Sequence, residues 1–101
     1  MSTADVRLEF DDDFDVDERA SQEVRDKGYY RHAVAVLPDN RRVKLSFWNP
    51  VRLSQDLEVA MRLGRACIAE PALIIIQNVT ADNMRAAANE LYRRGYFNHL
   101  R

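Results

Sequence analysis

Two runs rich in aromatic and β-branched residues, Tyr29 through Leu37 and Arg42 through Trp48, are separated by Pro38-Asp39-Asn40-Arg41. Those four residues favour a turn: proline presets one backbone angle, and Asp and Asn side chains hydrogen-bond to nearby backbone. The pattern predicts an antiparallel hairpin. In its second arm Val43, Leu45 and Phe47 share one face and Lys44, Ser46 and Trp48 the other, so one side is core and the other at least partly wet. Trp48, last in the arm, fits either side.

The flanking segments divide by period. Val6 to Phe10 alternates apolar with charged residues, the period of a half-buried strand. Val16, Ala20 and Val24 fall at i, i+4 and i+8, with Lys27 and Gly28 placed as a C-terminal stop, which predicts a thinly amphipathic helix of about ten residues. Asn49-Pro50 opens a stronger helix, Asn49 as cap and Pro50 in the first turn, with Leu53, Leu57, Ala60, Met61 and Gly64 on one stripe. That stripe predicts a helix packed on the core. Ala72 to Ile76 is a continuous apolar run too short for a helix, which suits a strand covered on both faces and central in the sheet. Thr80 then caps a last helix whose stripe is Met84, Ala87, Ala88, Leu91 and Tyr92, closed by Arg93, Arg94 and Gly95.

The order strand, helix, strand, strand, helix, strand, helix is that of a single α+β domain over residues 1–101, a mixed sheet with a central β-hairpin. It fits a split βαβ (ferredoxin-like) arrangement with an added C-terminal helix if the first helix forms. A chain of 101 residues, 47% hydrophobic and 31% charged with three Gly and three Pro, buries one core and no more. The acidic segment 9–18 is the stretch that reads as a flexible connection.

One cysteine, Cys67, excludes an internal disulfide and a cysteine-based zinc site. The N-terminus carries acids where a signal peptide needs bases, and no apolar run nears the roughly 20 residues that span a bilayer. The expectation is a cytoplasmic protein with no membrane partner.

The net charge of −1 conceals segregation. Residues 1–20 hold eight acids and two bases, giving −6; the rest hold eight acids and thirteen bases, giving +5. Either the acidic segment lies against the basic body or each presents a charged face to a partner. Asp11, Asp13, Asp15 and Asp17 recur at every second residue, with Asp12 between, as the early ligands of a calcium loop do. The later positions fail that pattern, with Val16 where the turn needs Gly and Gln22 where it needs a bidentate Glu. No metal or other cofactor is indicated.

Arg31, Arg41, Arg42 and Lys44 lie around the hairpin with Tyr29, Tyr30 and Trp48. Cations beside aromatic platforms are what single-stranded nucleic acid needs, although no RNA-binding motif is matched and aromatics on a hairpin are usually core. Arg93, Arg94, Tyr96 and Phe97 at the other end make either a solvated helix face or an interface. For catalysis the nucleophile candidates are Cys67, Ser46 and Ser54 and the bases His32 and His99, none in an activating arrangement. Cys67 reads as a buried, inert thiol.

The expected function is therefore that of a small protein-binding module, such as a bacterial accessory, inhibitor or immunity-type protein. It would meet another protein, a basic one if the acidic segment leads, through charged surfaces: Asp11, Asp12, Asp13, Asp15 and Asp17 on one side, Arg41, Arg42, Lys44, Trp48, Arg93 and Arg94 on the other. Nucleic-acid binding through the basic hairpin face is the alternative, an enzyme with a site invisible in sequence the third reading. A homodimer through a sheet edge or the last helix fits the same elements.

Overall fold

A computed structural model describes residues 6–10 and 16–99. Asp11, Asp12, Asp13 and Asp15 lie outside the described residues, so the acidic segment is represented here by Glu9, Asp17 and Glu18. The strands are β1 (Arg7–Glu9), β2 (Tyr29–Val36), β3 (Arg42–Trp48) and β4 (Leu73–Ile75). The helices are α1 (Glu18–Lys27), α2 (Pro50–Arg62) and α3 (Ala81–Arg93), followed by a 3-10 turn at Tyr96–His99. Among the described residues no helix is long and apolar enough to cross a membrane.

The α+β class, the single mixed sheet and the central hairpin stand. The four strands follow sequence order, β1-β2-β3-β4. The first three are antiparallel, and β3 and β4 are parallel neighbours joined through α2. α1 thus links two adjacent antiparallel strands rather than two parallel ones.

Local chemistry accounts for the boundaries. In the hairpin turn Asp39 Oδ1 accepts the Arg41 N–H at 3.0 Å, and Asn40 takes a positive φ of 70°, which short polar side chains tolerate. Asp17 caps α1, its Oδ1 accepting the N–H groups of Arg19 and Ala20 at 3.0 and 3.2 Å. Asn49 caps α2 through the Arg52 N–H at 2.7 Å, with Pro50 in the first turn. Thr80 caps α3 through the Asn83 N–H at 3.2 Å. Each cap satisfies a helix-end donor that would otherwise need water.

The core lies on one face of the sheet, where Leu8, Ala33, Ala35, Leu45 and Phe47 meet Val79, Met84, Ala88 and Phe97. Burying each of the larger side chains contributes roughly 1.5–3 kcal/mol. Ala20 and Val24 of α1 pack against this cluster, while Val16 stands outside it. Phe97 is buried, so the C-terminal aromatics serve the core, and Arg41 Nη1 reaches back to donate to the Phe97 carbonyl at 3.5 Å.

Two expectations are overturned. β4 is the outermost strand, and Ile75 is 52% exposed; the chain continues from β4 into α3, and among the described residues no strand covers its outer side. α2 buries only Ala60 and is not the core-packing helix its stripe predicts. Its seating on the other face of the sheet explains why.

Candidate protein-binding face

Strand register places Arg42, Lys44, Ser46 and Trp48 of β3 on the face opposite the core. Arg7, Glu9, Tyr29, Val34 and Val36 lie beside them, with Leu73 and Ile75 on the β4 side. α2 covers only the Trp48 end of this face, and it is held there by a polar and aromatic relay. The Arg52 guanidinium lies 4.8 Å from the centre of the Tyr29 ring, and Tyr29 stacks on Trp48 at 5.1 Å. Trp48 Nε1–H donates to Ser46 Oγ at 2.7 Å, and Ser46 donates to Glu70 Oε1 at 2.9 Å. Glu70 in turn pairs with Arg31 at 3.0 Å. Arg52 also pairs with Asp56 at 3.1 Å, one turn along α2, and reaches the Lys27 carbonyl at 3.4 Å.

This relay sets the rotation of α2. At 3.6 residues per turn, Arg52, Asp56 and Ala60 share one side, and that side faces the sheet. Leu53, Leu57 and Met61 then lie on the adjoining flank, rotated away from the Arg52 side. Leu53 and Leu57 line an open groove of about 250 Å³ with Ala66, Cys67 and Ile68. On the core side of β4 a second groove, of about 320 Å³, runs between Ile74, Ile76, Ala87 and Leu91, with Glu90 and Arg94 at its wall. The outermost strand is therefore bordered by an open groove on its core side, while the groove at Leu53 and Leu57 lies between α2 and the segment that follows it.

Cys67 is exposed, contrary to the buried thiol expected, because the return from α2 to β4 carries it along the wall of the open groove at Leu53 and Leu57. Among the described residues no group of three or more His, Cys, Asp or Glu side chains could hold a metal ion. A cleft of about 400 Å³ beside α1 is lined by Glu18, Ser21, Gln22, Arg25 and Thr80, and brings neither histidine nor cysteine to Ser21. His32 and Ser54 are exposed.

No protein-family model matches the chain, and neither a curated protein nor a solved structure matches it. Its own geometry therefore carries the functional reading.

The charged residues singled out from sequence do not converge. Arg41 turns towards Asp39 and the Phe97 carbonyl, away from Arg42 and Lys44. Arg42 pairs with Glu9 at 2.5 Å, and Glu9 also binds Arg7 at 3.0 Å; Arg42 above all, then Arg7, holds the Glu9 carboxyl below its ordinary range. Lys44 is exposed, with no ion pair among the described residues. Trp48 is buried under α2 and offers no stacking platform. Asp17 is occupied as a cap. Arg93 is exposed, and Arg94 pairs with Glu90 at 3.1 Å. What the sequence reading missed is the apolar set Val51, Leu57, Val59, Met61, Leu63 and Ile75, all exposed. The available signal was that Val51, Val59 and Leu63 fall outside the core-facing stripe of α2.

Proposed function

We propose that the chain is a protein-binding module whose contact surface is the exposed apolar part of α2, including the groove edge at Val59 and Leu63 beside Trp48, together with the β4 edge. One observation carries the reading: α2 buries a single residue while Val51, Val59, Met61 and Leu63 stand 50–73% exposed. Single exposed apolar residues are ordinary on any surface, but a set concentrated on one helix and the neighbouring strand is what contact sites present. Glu58, Arg62 and Arg65 around them supply a charged rim of both signs. The segregated charge of the chain then acts on encounter and orientation rather than as the centre of the interface. The nucleic-acid alternative is weakened by the burial of Trp48 and by the pairing of Arg42 with Glu9.

A photo-crosslinking residue at Met61, in the protein expressed in cells of its own source, tests this. The expected result is a discrete protein adduct that is absent when the same group replaces Glu23, exposed on α1. Absence of any adduct from positions 57, 61 and 63 would contradict the reading.

A further inference from the structure

We infer that the occupant of this surface is a second copy of the same chain, joined β4 to β4 across a two-fold axis so that two four-stranded sheets become one of eight strands. The inference rests on the protein-binding reading above and names its partner. It starts from a mismatch between composition and place. Ala72-Leu73-Ile74-Ile75-Ile76 has the uninterrupted apolar sequence of an inner strand, yet β4 is outermost. Exposed edges are ordinarily kept short or guarded by a charge, a proline or a bulge within the strand; β4 spans three residues, and residues 72–76 contain no charge and no proline. A second β4 turns this edge into the centre of a sheet.

The backbone is arranged for it. Ala72 C=O accepts from Ser46 and Ile76 N–H donates to Trp48, so even-numbered residues of β4 bond to β3. Leu73 and Ile75 alternate with them and direct N–H and C=O to the open side. Two identical strands related by a two-fold axis normal to the sheet are antiparallel. With Ile74 opposite Ile74 on the axis, Leu73 of each copy exchanges both backbone hydrogen bonds with Ile75 of the other.

The same axis accounts for the side chains. It keeps both α2 helices on one side of the joined sheet and both α3 helices on the other. Leu57 and Met61 stand exposed on the α2 side of the sheet, the side on which the axis brings the second copy's α2. On the other side the groove along Ala87 and Leu91 becomes internal. Glu90 and Arg94 at that groove pair with each other at 3.1 Å, so the groove carries no net charge and a second copy meets no like-charge repulsion there. A basic or an acidic partner would find no matching patch there.

Sedimentation equilibrium of the full chain at micromolar to hundreds of micromolar concentration tests the pairing. The expected mass is twice the chain mass of 11.7 kDa. Ile75→Lys puts a charge on a side chain that is already 52% exposed, and the expected result is the single-chain mass with an unchanged circular dichroism spectrum. Ile75→Pro removes an outward N–H and is expected to act in the same direction, a tenfold or greater rise in dimer Kd. Wild type at single-chain mass throughout, or Ile75→Lys as tight a dimer as wild type, would overturn the inference. A single-chain wild type that still gave a Met61 adduct with a different protein would sink self-pairing and leave the binding module standing. No adduct at all would sink both.

Discussion

The indole N–H of Trp48 donates to the hydroxyl of Ser46 at 2.7 Å, and both side chains are buried on the face of the sheet opposite the core. The pair stands at the middle of the relay from Arg52 through Tyr29 to Glu70 and Arg31, and this relay, rather than an apolar stripe, seats α2.

Ser46→Ala removes the acceptor for the indole and the hydroxyl partner of Glu70 together. Leaving a buried donor without a partner costs about 1–3 kcal/mol. The expected result is a lower urea midpoint at unchanged slope, with a red shift in the emission of Trp48, the only tryptophan. A variant as stable as wild type would show that the indole is not sealed from water.

Gly28 and Gly64 both adopt positive φ, 81° and 85°, but differ in their surroundings. A Cβ at Gly28 would lie 2.6 Å from Asn49 Nδ2 and 2.9 Å from Arg52 Cβ, whereas one at Gly64 would meet nothing within 4 Å. Asn49 cannot give way without uncapping α2. Alanine at either position carries the left-handed penalty of roughly 1–2 kcal/mol, and Gly28→Ala adds an overlap cost of about 1–3 kcal/mol. Denaturant titration of the two variants reads the difference directly, and equal losses would show that the α1–α2 junction is loose.

Glu9 is held below its ordinary range by Arg42 and then Arg7. A carboxyl depressed in the folded state stabilises above its unfolded pKa, and that contribution is lost as pH falls through the folded value. Glu9→Gln should therefore lower Tm at neutral pH, modestly because the group is exposed to solvent, and the gap to wild type should close in acid. A gap that persisted below the folded titration would assign the effect to packing rather than charge.

Met61→Glu separates association from folding. The side chain is 61% exposed, so monomer stability should change by no more than about 0.5 kcal/mol. Retention of partner, measured by the crosslinking or sedimentation described above, should be lost. A large drop in stability would mean that Met61 belongs to the core after all.

The hairpin, the caps at Asn49 and Thr80, the Gly28 stop and the apolar stripe of α3 were legible in the sequence because each depends on residues close in the chain. What was not legible depended on distant partners. Leu53, Leu57 and Met61 read as core-facing because nothing in the sequence of α2 shows that Arg52 will stack on Tyr29 and turn the Asp56 and Ala60 side to the sheet. Ala72 to Ile76 read as an inner strand from composition, and composition does not say which chain supplies the neighbour. The basic residues of the hairpin looked like one patch, but strand alternation and the turn send Arg41 to the Phe97 side and Arg42 to Glu9.

Amide hydrogen exchange resolved by residue along β4 bears most directly on whether this edge is a contact surface. Ile74 and Ile76, bonded to β3, serve as internal references. If the edge is paired in the working protein, the Leu73 and Ile75 amides should be protected to a similar degree as those references, and Ile75→Lys should abolish protection at positions 73 and 75 while Ile74 and Ile76 stay protected. Leu73 and Ile75 amides exchanging at the rate of an open chain at every protein concentration, beside protected Ile74 and Ile76, would contradict it.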